Sequence, residues 1–199
     1  MNDNDNEIIS RILSGDARAY AELIDRHKDR AMTLAMRMLK NHADAEEALQ
    51  DAFVRAFRAL PRFEKKSLFS TWFYRIVFNV CSTHLSKHPR VHAESFDADD
   101  DDVMKADEPV SDNMPDIECE SAEFTAIVHE AIDAMPEQYA AVLTLFFVQD
   151  MGYEEIMDVT GLPLGTVKNR LFRARMMLQR AVLRRCGETE AVIEKENGR

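Results

Sequence analysis

Gly152-Tyr153-Glu154-Glu155-Ile156-Met157-Asp158-Val159-Thr160-Gly161-Leu162-Pro163-Leu164-Gly165-Thr166-Val167-Lys168-Asn169-Arg170-Leu171-Phe172-Arg173-Ala174-Arg175 is the stretch on which the reading of this chain turns. It spells a short amphipathic helix, a tight turn at Gly161 and a second helix with a basic outer face, the pattern of a helix-turn-helix. Ile156, Val159, Leu162 and Val167 are spaced to pack the two helices together. Thr166, Lys168, Asn169, Arg170 and Arg173 are left facing outward. In such a motif the second helix lies in the DNA major groove.

The formal net charge of -11 argues against a nucleic-acid partner until it is located. Between Glu94 and Glu123 stand thirteen acids and one lysine, a local charge of -12. Residues 1–93 carry +3, residues 124–186 balance at zero, and residues 187–199 carry -2. Every basic residue of 124–186 falls between Lys168 and Arg185, which leaves a basic stripe where a DNA-reading helix belongs.

At 199 residues the chain has room for one medium domain or two small ones. Cys81, Cys119 and Cys186 are odd in number and far apart, so they give no disulfide framework. No apolar run reaches membrane-spanning length and no signal peptide opens the chain, so the plain expectation is a cytosolic protein. Met32, Met36 and Met157 occupy apolar helical positions and read as core filling.

Apolar residues recur at helical spacing throughout the first ninety positions. Ile8, Ile9, Ile12 and Leu13 predict a short helix stopping near Ser14-Gly15, and Tyr20 through Met38 a long one. Asp44 reads as the N-cap of a third helix, with Glu47 completing a capping box, running through Leu49, Phe53 and Phe57 to Pro61. After a loop from Arg62 to about Leu68, Ser70 or Thr71 opens a fourth helix ending near His88-Pro89. Residues 90–122 have no sustained period and read as a flexible linker. The helical period returns at Phe124, and a buried helix follows Pro136 and ends at Gly152. The polar tail after Gly187 reads as frayed. The fold class is therefore all-α: two small helical domains joined by an acidic linker, the second containing the helix-turn-helix.

Asp44-Ala45-Glu46-Glu47-Ala48-Leu49-Gln50-Asp51-Ala52-Phe53, then Phe63, then Phe69-Ser70-Thr71-Trp72-Phe73-Tyr74-Arg75-Ile76 with Asn79, resembles the first conserved domain of extracytoplasmic-function (ECF, group IV) sigma factors. Pro163 to Arg175 resembles the second, in the family's order and spacing. The resemblance implies a region 2-like domain over 1–90, an acidic linker over 91–123, a region 4-like domain over 124–186 and a polar tail over 187–199. It implies a subunit that gives RNA polymerase its promoter choice and has no catalytic chemistry or cofactor of its own. Its partners would be core RNA polymerase (the β′ coiled coil and the β subunit), promoter DNA and an anti-sigma factor.

By that resemblance Glu47, Gln50 and Asp51 dock onto the β′ coiled coil, where an acidic patch suits an arginine-rich partner. Read from charge alone, the same residues are a solvated helix face with acids near its N-terminus. The melted -10 strand would meet Phe63, Lys65, Lys66, Ser67, Arg75 and Asn79, since unstacked bases need pockets and their backbone needs cations. Phe69, Trp72, Phe73 and Ile76 share one helical face and read as core. The family usually carries a glycine and an arginine in the loop, where this chain reads Glu64-Lys65-Lys66-Ser67.

The -35 duplex would meet Pro163, Thr166, Lys168, Asn169, Phe172 and Arg173, with Arg170 and Arg175 reaching phosphates or solvating the helix. Arginine suits guanine and asparagine suits adenine, while Phe172 either touches a thymine methyl or packs inward. The acidic linker is either a solubilising spacer or, by resemblance, a segment threading the polymerase's basic channel. Cys81, His84 and His88 form a weak metal candidate with no fourth ligand, so no metal is expected. His27 and His129 read as surface or packing residues. No Ser/His/Asp order, glycine-rich phosphate loop or paired carboxylates support an enzyme. Two other readings remain: a stand-alone helix-turn-helix regulator, and a polymerase-binding mimic that has lost DNA recognition, which the basic stripe opposes.

Overall fold

The amphipathic period of the sequence becomes eight α-helices among the residues that the computed structural model describes, 3–87 and 122–197, with side chains described over 4–87 and 125–185. The first unit holds α1 (Asp3–Leu13), α2 (Ala19–Leu39), α3 (His42–Ala59), a 3-10 turn at Leu60–Arg62, and α4 (Phe69–Lys87). The second holds α5 (Ala122–Asp133), α6 (Glu137–Phe147), α7 (Tyr153–Thr160) and α8 (Leu164–Asn197). The linker predicted over 91–123 lies outside the described residues up to 121.

In the first unit α2, α3 and α4 pack on one another, and α1 lies against α2. The α3 face toward this core is Ala45, Ala48, Ala52 and Ala56, all buried. These small side chains let the neighbouring backbones approach closely. Bulk comes from α4 instead: Phe73 is fully buried, its ring stacked 4.7 Å from Phe53 and 5.8 Å from Phe69. In the second unit Ile156 and Val159 of α7 meet Val167, Leu171 and Ala174 of α8 in one apolar core. Leu162 is partly buried against it.

Several boundaries differ from expectation. Helix α3 begins at His42, and its cap is Asn41, whose side-chain oxygen accepts the Asp44 N–H at 3.1 Å. Asp44 therefore sits in the first turn. Helix α6 ends at Phe147 rather than at Gly152. Helix α8 continues through the tail expected to fray, reaching Asn197; Glu188, Glu190, Ala191, Glu194, Lys195 and Glu196 there are good helix formers. Phe57, expected on the buried face of α3, is 43% exposed and meets Tyr20 edge-on.

Gly161 closes α7 in the left-handed region at φ 73°, with its N–H donating to the Met157 carbonyl at 2.8 Å. A Cβ there would meet open space, so the cost of substitution is conformational rather than steric. Gly161→Val is expected to destabilise the second unit by about 1–2 kcal/mol, with Gly161→Asn clearly milder. Thermal melts of the two variants check this; equal losses would contradict it.

The two units are packed together. Helix α2 lies against α6, and α4 against α7. Seven consecutive residues of α6, Tyr139 to Leu145, are buried, more than one neighbour on one side of a helix can cover.

Candidate nucleic-acid interface

Helix α8 divides cleanly by its period. Val167, Leu171 and Ala174 are buried; Asn169, Phe172 and Arg173 fall on the opposite side, and Thr166 and Arg170 flank the stripe. Lys168 and Asn169 are exposed, while Thr166, Arg170 and Arg173 are half-exposed. Pro163 is exposed at the turn before the helix. Phe172 is 48% exposed, so of its two expected placements the outward one holds. Lys168 leans over the Tyr153 ring at 5.9 Å. Arg175 turns back onto α6, its guanidinium 5.0 Å from the Phe146 ring centre and 5.5 Å from that of Phe147.

A second surface lies on the first unit. Phe63 is half-buried, its ring 5.0 Å from Trp72 and 6.0 Å from Phe69. The exposed loop beyond it turns at Lys65, which is left-handed at φ 56°, and Lys66 pairs with Glu64. The Ser67 hydroxyl reaches only its neighbour's carbonyl, that of Leu68, at 3.4 Å. Arg75 and Asn79 are both exposed and one turn apart on α4. Phe69 and Phe73 are buried as expected of core residues, and Trp72 and Ile76 are partly so.

The third surface is acidic. Glu47 and Gln50 are exposed on α3, and Asp51 forms a two-pronged pair with Arg55 at 2.7 and 3.0 Å. Val54 (47% exposed) continues that face with Phe57, an apolar extension that periodicity did not indicate.

All three surfaces lie within segments that match known families. Residues 23–91 match the model of Sigma-70 region 2, and residues 125–178 that of Sigma-70 region 4. The chain belongs to the sigma-70 family, among its ECF sigma factors. It is 32% identical over 182 residues to the RNA polymerase sigma-H factor of Pseudomonas aeruginosa, covering 90% of this chain and 94% of that one. It is 30% identical to the ECF sigma factor SigW of Bacillus subtilis, covering 86% and 93%. In fold it is similar to CnrH, solved in complex with the cytosolic domain of CnrY (TM-score 0.60, 24% identity, 89% and 96% covered). A similar match is the sigma factor RpoE of Bartonella quintana, solved with the anti-sigma factor NepR (0.59, 21%, 82% and 96%). The protein is an alternative sigma factor that directs transcription initiation, a reading that displaces the stand-alone regulator.

This sigma factor also joins residues that no motif had paired. Arg37 of α2 is 3% exposed; it donates to the Thr144 hydroxyl at 2.9 Å and to His129 Nδ1 at 3.1 Å, with Asp133 at 3.7 Å. Burial pushes its pKa down, and Asp133 acts in the opposite direction. The Thr71 hydroxyl donates to Glu155 at 2.9 Å, while the other oxygen of Glu155 accepts the Gly152 N–H. No signal in the sequence could have found these pairs, because their members lie 84 to 107 residues apart.

The remaining titratable candidates fall inside the fold. Cys81 is buried and its thiol is pushed up to about 12 by desolvation, which makes it unreactive. His84 faces Asp44 at 3.7 Å, and His88 lies outside the described residues. His27 is buried against Phe69, with Asp5 at 3.1 Å, and burial holds its pKa low. No helix among the described residues is long and apolar enough to cross a membrane.

Proposed function

We propose that this group IV sigma factor divides its work between residues 1–90 and 124–186. The outward face of α8 reads the -35 duplex, and the observation carrying this is its basic and amide side chains opposite a wholly buried apolar stripe. Asn169 and Arg173 read bases; Pro163, Thr166, Lys168 and Arg170 position the helix on the backbone, with Phe172 against a groove methyl. Arg175, drawn onto Phe146 and Phe147, braces α8 on α6 and reaches DNA only at the margin.

Phe63, Lys65, Lys66, Ser67, Arg75 and Asn79 take the melted -10 strand. An exposed loop with two lysines beside a firm aromatic cluster gives cations for the strand and a fixed platform beneath it. Glu47, Gln50 and Asp51 dock on the β′ coiled coil of the polymerase, with Val54 and Phe57 adding an apolar margin. Residues 91–123 connect the two domains, and the tail from residue 187 extends α8 as far as Asn197. The protein acts in the cytoplasm and is held in check by an anti-sigma factor, as the pairings of CnrH with CnrY and RpoE with NepR suggest.

The test is base-resolved. With holoenzyme on a randomised -35 library, Arg173→Ala is expected to relax preference at one base pair, costing about 1–3 kcal/mol there. Lys168→Ala should weaken all sequences alike and lower the salt slope by about one. A uniform loss from both variants would refute the base-reading assignment.

A further inference from the structure

One carboxylate of α1 grips two consecutive side chains of α2. Both oxygens of Asp5 are engaged: one accepts from the Arg26 guanidinium at 2.9 Å, and the other stands 3.1 Å from His27 Nε2. An ionised carboxylate only accepts, so Nε2 carries the proton of this contact, and the bond sets the tautomer of the ring. It also sets the tilt, because the torsion that turns an imidazole is soft. Asp5 lies outside the segment that matches region 2, residues 23–91, so the family model does not contain this pair.

The imidazole reaches the loop before α4 through aromatic rings. Its centre lies 5.2 Å from that of Phe69, the first residue of α4, where the loop ends. Phe69 in turn meets Trp72 at 5.6 Å, and at 6.0 Å it meets Phe63, where the loop begins. Asp5 also lines one cleft with residues 65–69. The loop itself has little internal support. Lys65 is left-handed at φ 56°, and the Ser67 hydroxyl reaches only the Leu68 carbonyl. A non-glycine residue in that region persists only where its surroundings hold it, so the loop depends on how firmly its ends are seated.

We propose that Asp5 and His27 are positioning residues for capture of the melted -10 strand: the carboxylate orients the imidazole, the imidazole seats Phe69, and Phe69 fixes the loop and its platform of Phe63 and Trp72. This rests on the assignment of Phe63–Asn79 to strand capture. A histidine that only filled volume beside Phe69 and Phe73 could be replaced by phenylalanine, which is close in size and at home among aromatic rings. The bond to Asp5 makes the difference. A ring without the donor loses its fixed tilt and leaves a largely buried carboxylate oxygen short of a partner.

The test sets His27→Phe and Asp5→Ala beside two conservative variants of the full chain. His27→Gln keeps an N–H donor near the place of Nε2, and Asp5→Asn keeps an acceptor. Acrylamide quenching of Trp72, the chain's one tryptophan, reads the platform in the free protein. Permanganate reactivity of thymines in the opened -10 region, with holoenzyme on a promoter selected from genomic fragments, reads strand capture. In His27→Phe and Asp5→Ala, quenching is expected to rise and permanganate reactivity to fall about tenfold, the scale of one buried hydrogen bond lost. Affinity for core polymerase should stay unchanged, and His27→Gln and Asp5→Asn should recover most of both losses. Quenching at the wild-type level in His27→Phe and Asp5→Ala overturns the positioning. So does a loss that the conservative variants fail to recover, or a matching fall in core affinity, since either marks a general loss of structure. Quenching that rises while permanganate reactivity holds upholds the pair as the support of the platform and refutes the strand-capture assignment instead.

Discussion

Asp51→Arg is expected to lower affinity for core RNA polymerase by at least about 100-fold, roughly 3 kcal/mol, and to abolish initiation with it. The half-exposed carboxylate lies on the α3 face beside exposed Glu47 and Gln50, about one turn from Val54 and two from Phe57. An arginine there replaces attraction by repulsion toward a basic partner. The fold should tolerate the change. Asp51 engages only Arg55, in an exposed pair one turn away on the same helix, and such pairs contribute about 0.3–0.5 kcal/mol. Fluorescence anisotropy with labelled protein and core enzyme measures the loss; affinity within about threefold of wild type would move the docking site elsewhere, by the scale of a rim charge.

Phe73→Ala is expected to remove about 3–5 kcal/mol of the stability of the first unit. Its ring is fully buried between Phe53, Phe69 and Tyr74, and truncation leaves a void that fixed helices cannot close. A small domain is stable by about 5–15 kcal/mol in all, so a large share of its margin would go. The chain's one tryptophan, Trp72, lies in the same cluster, 5.6 Å from Phe69, and reports the unfolding directly. Urea titration followed by Trp72 emission should show a large fall in midpoint. A loss below about 1 kcal/mol would mean that this cluster is not the core of the unit, given what such truncations cost elsewhere.

Much of this architecture was legible in the residues, because helix faces are written at short range. The α8 stripe of Val167, Leu171 and Ala174, and the turn at Gly161, follow from spacing and from glycine's access to positive φ. Where the reading failed, the cause is also geometric. Ala45, Leu49, Phe53 and Phe57 recur every four residues, which drifts about 40° per step around a helix. Three steps carry Phe57 off the core face and into solvent, where 43% of it is exposed. Mixed three- and four-residue steps keep Ala45, Ala48, Ala52 and Ala56 inside. Asp44-x-x-Glu47 imitated a capping box, while Asn41, an equally good cap, stood earlier with His42 and Ala43 free to join the helix.

The interdomain contacts were illegible for a different reason. Arg37 and Thr144 are 107 residues apart, and an arginine on a helix carries no mark of whether water or another domain will cover it. The same holds for Arg175, which reads as one more cation of the recognition helix until α6 places two aromatic rings beneath it. Base-facing and phosphate-facing roles along α8 depend on the groove, so they were legible only as a face.

Run-off transcription with purified core polymerase, on promoters selected from a genomic fragment pool, tests the central claim most directly. Protein-dependent initiation from fragments sharing two boxes, at -35 and -10 spacing, is the result this account predicts. Tight sequence-specific duplex binding by the protein alone, with no initiation when core polymerase is added, would contradict it.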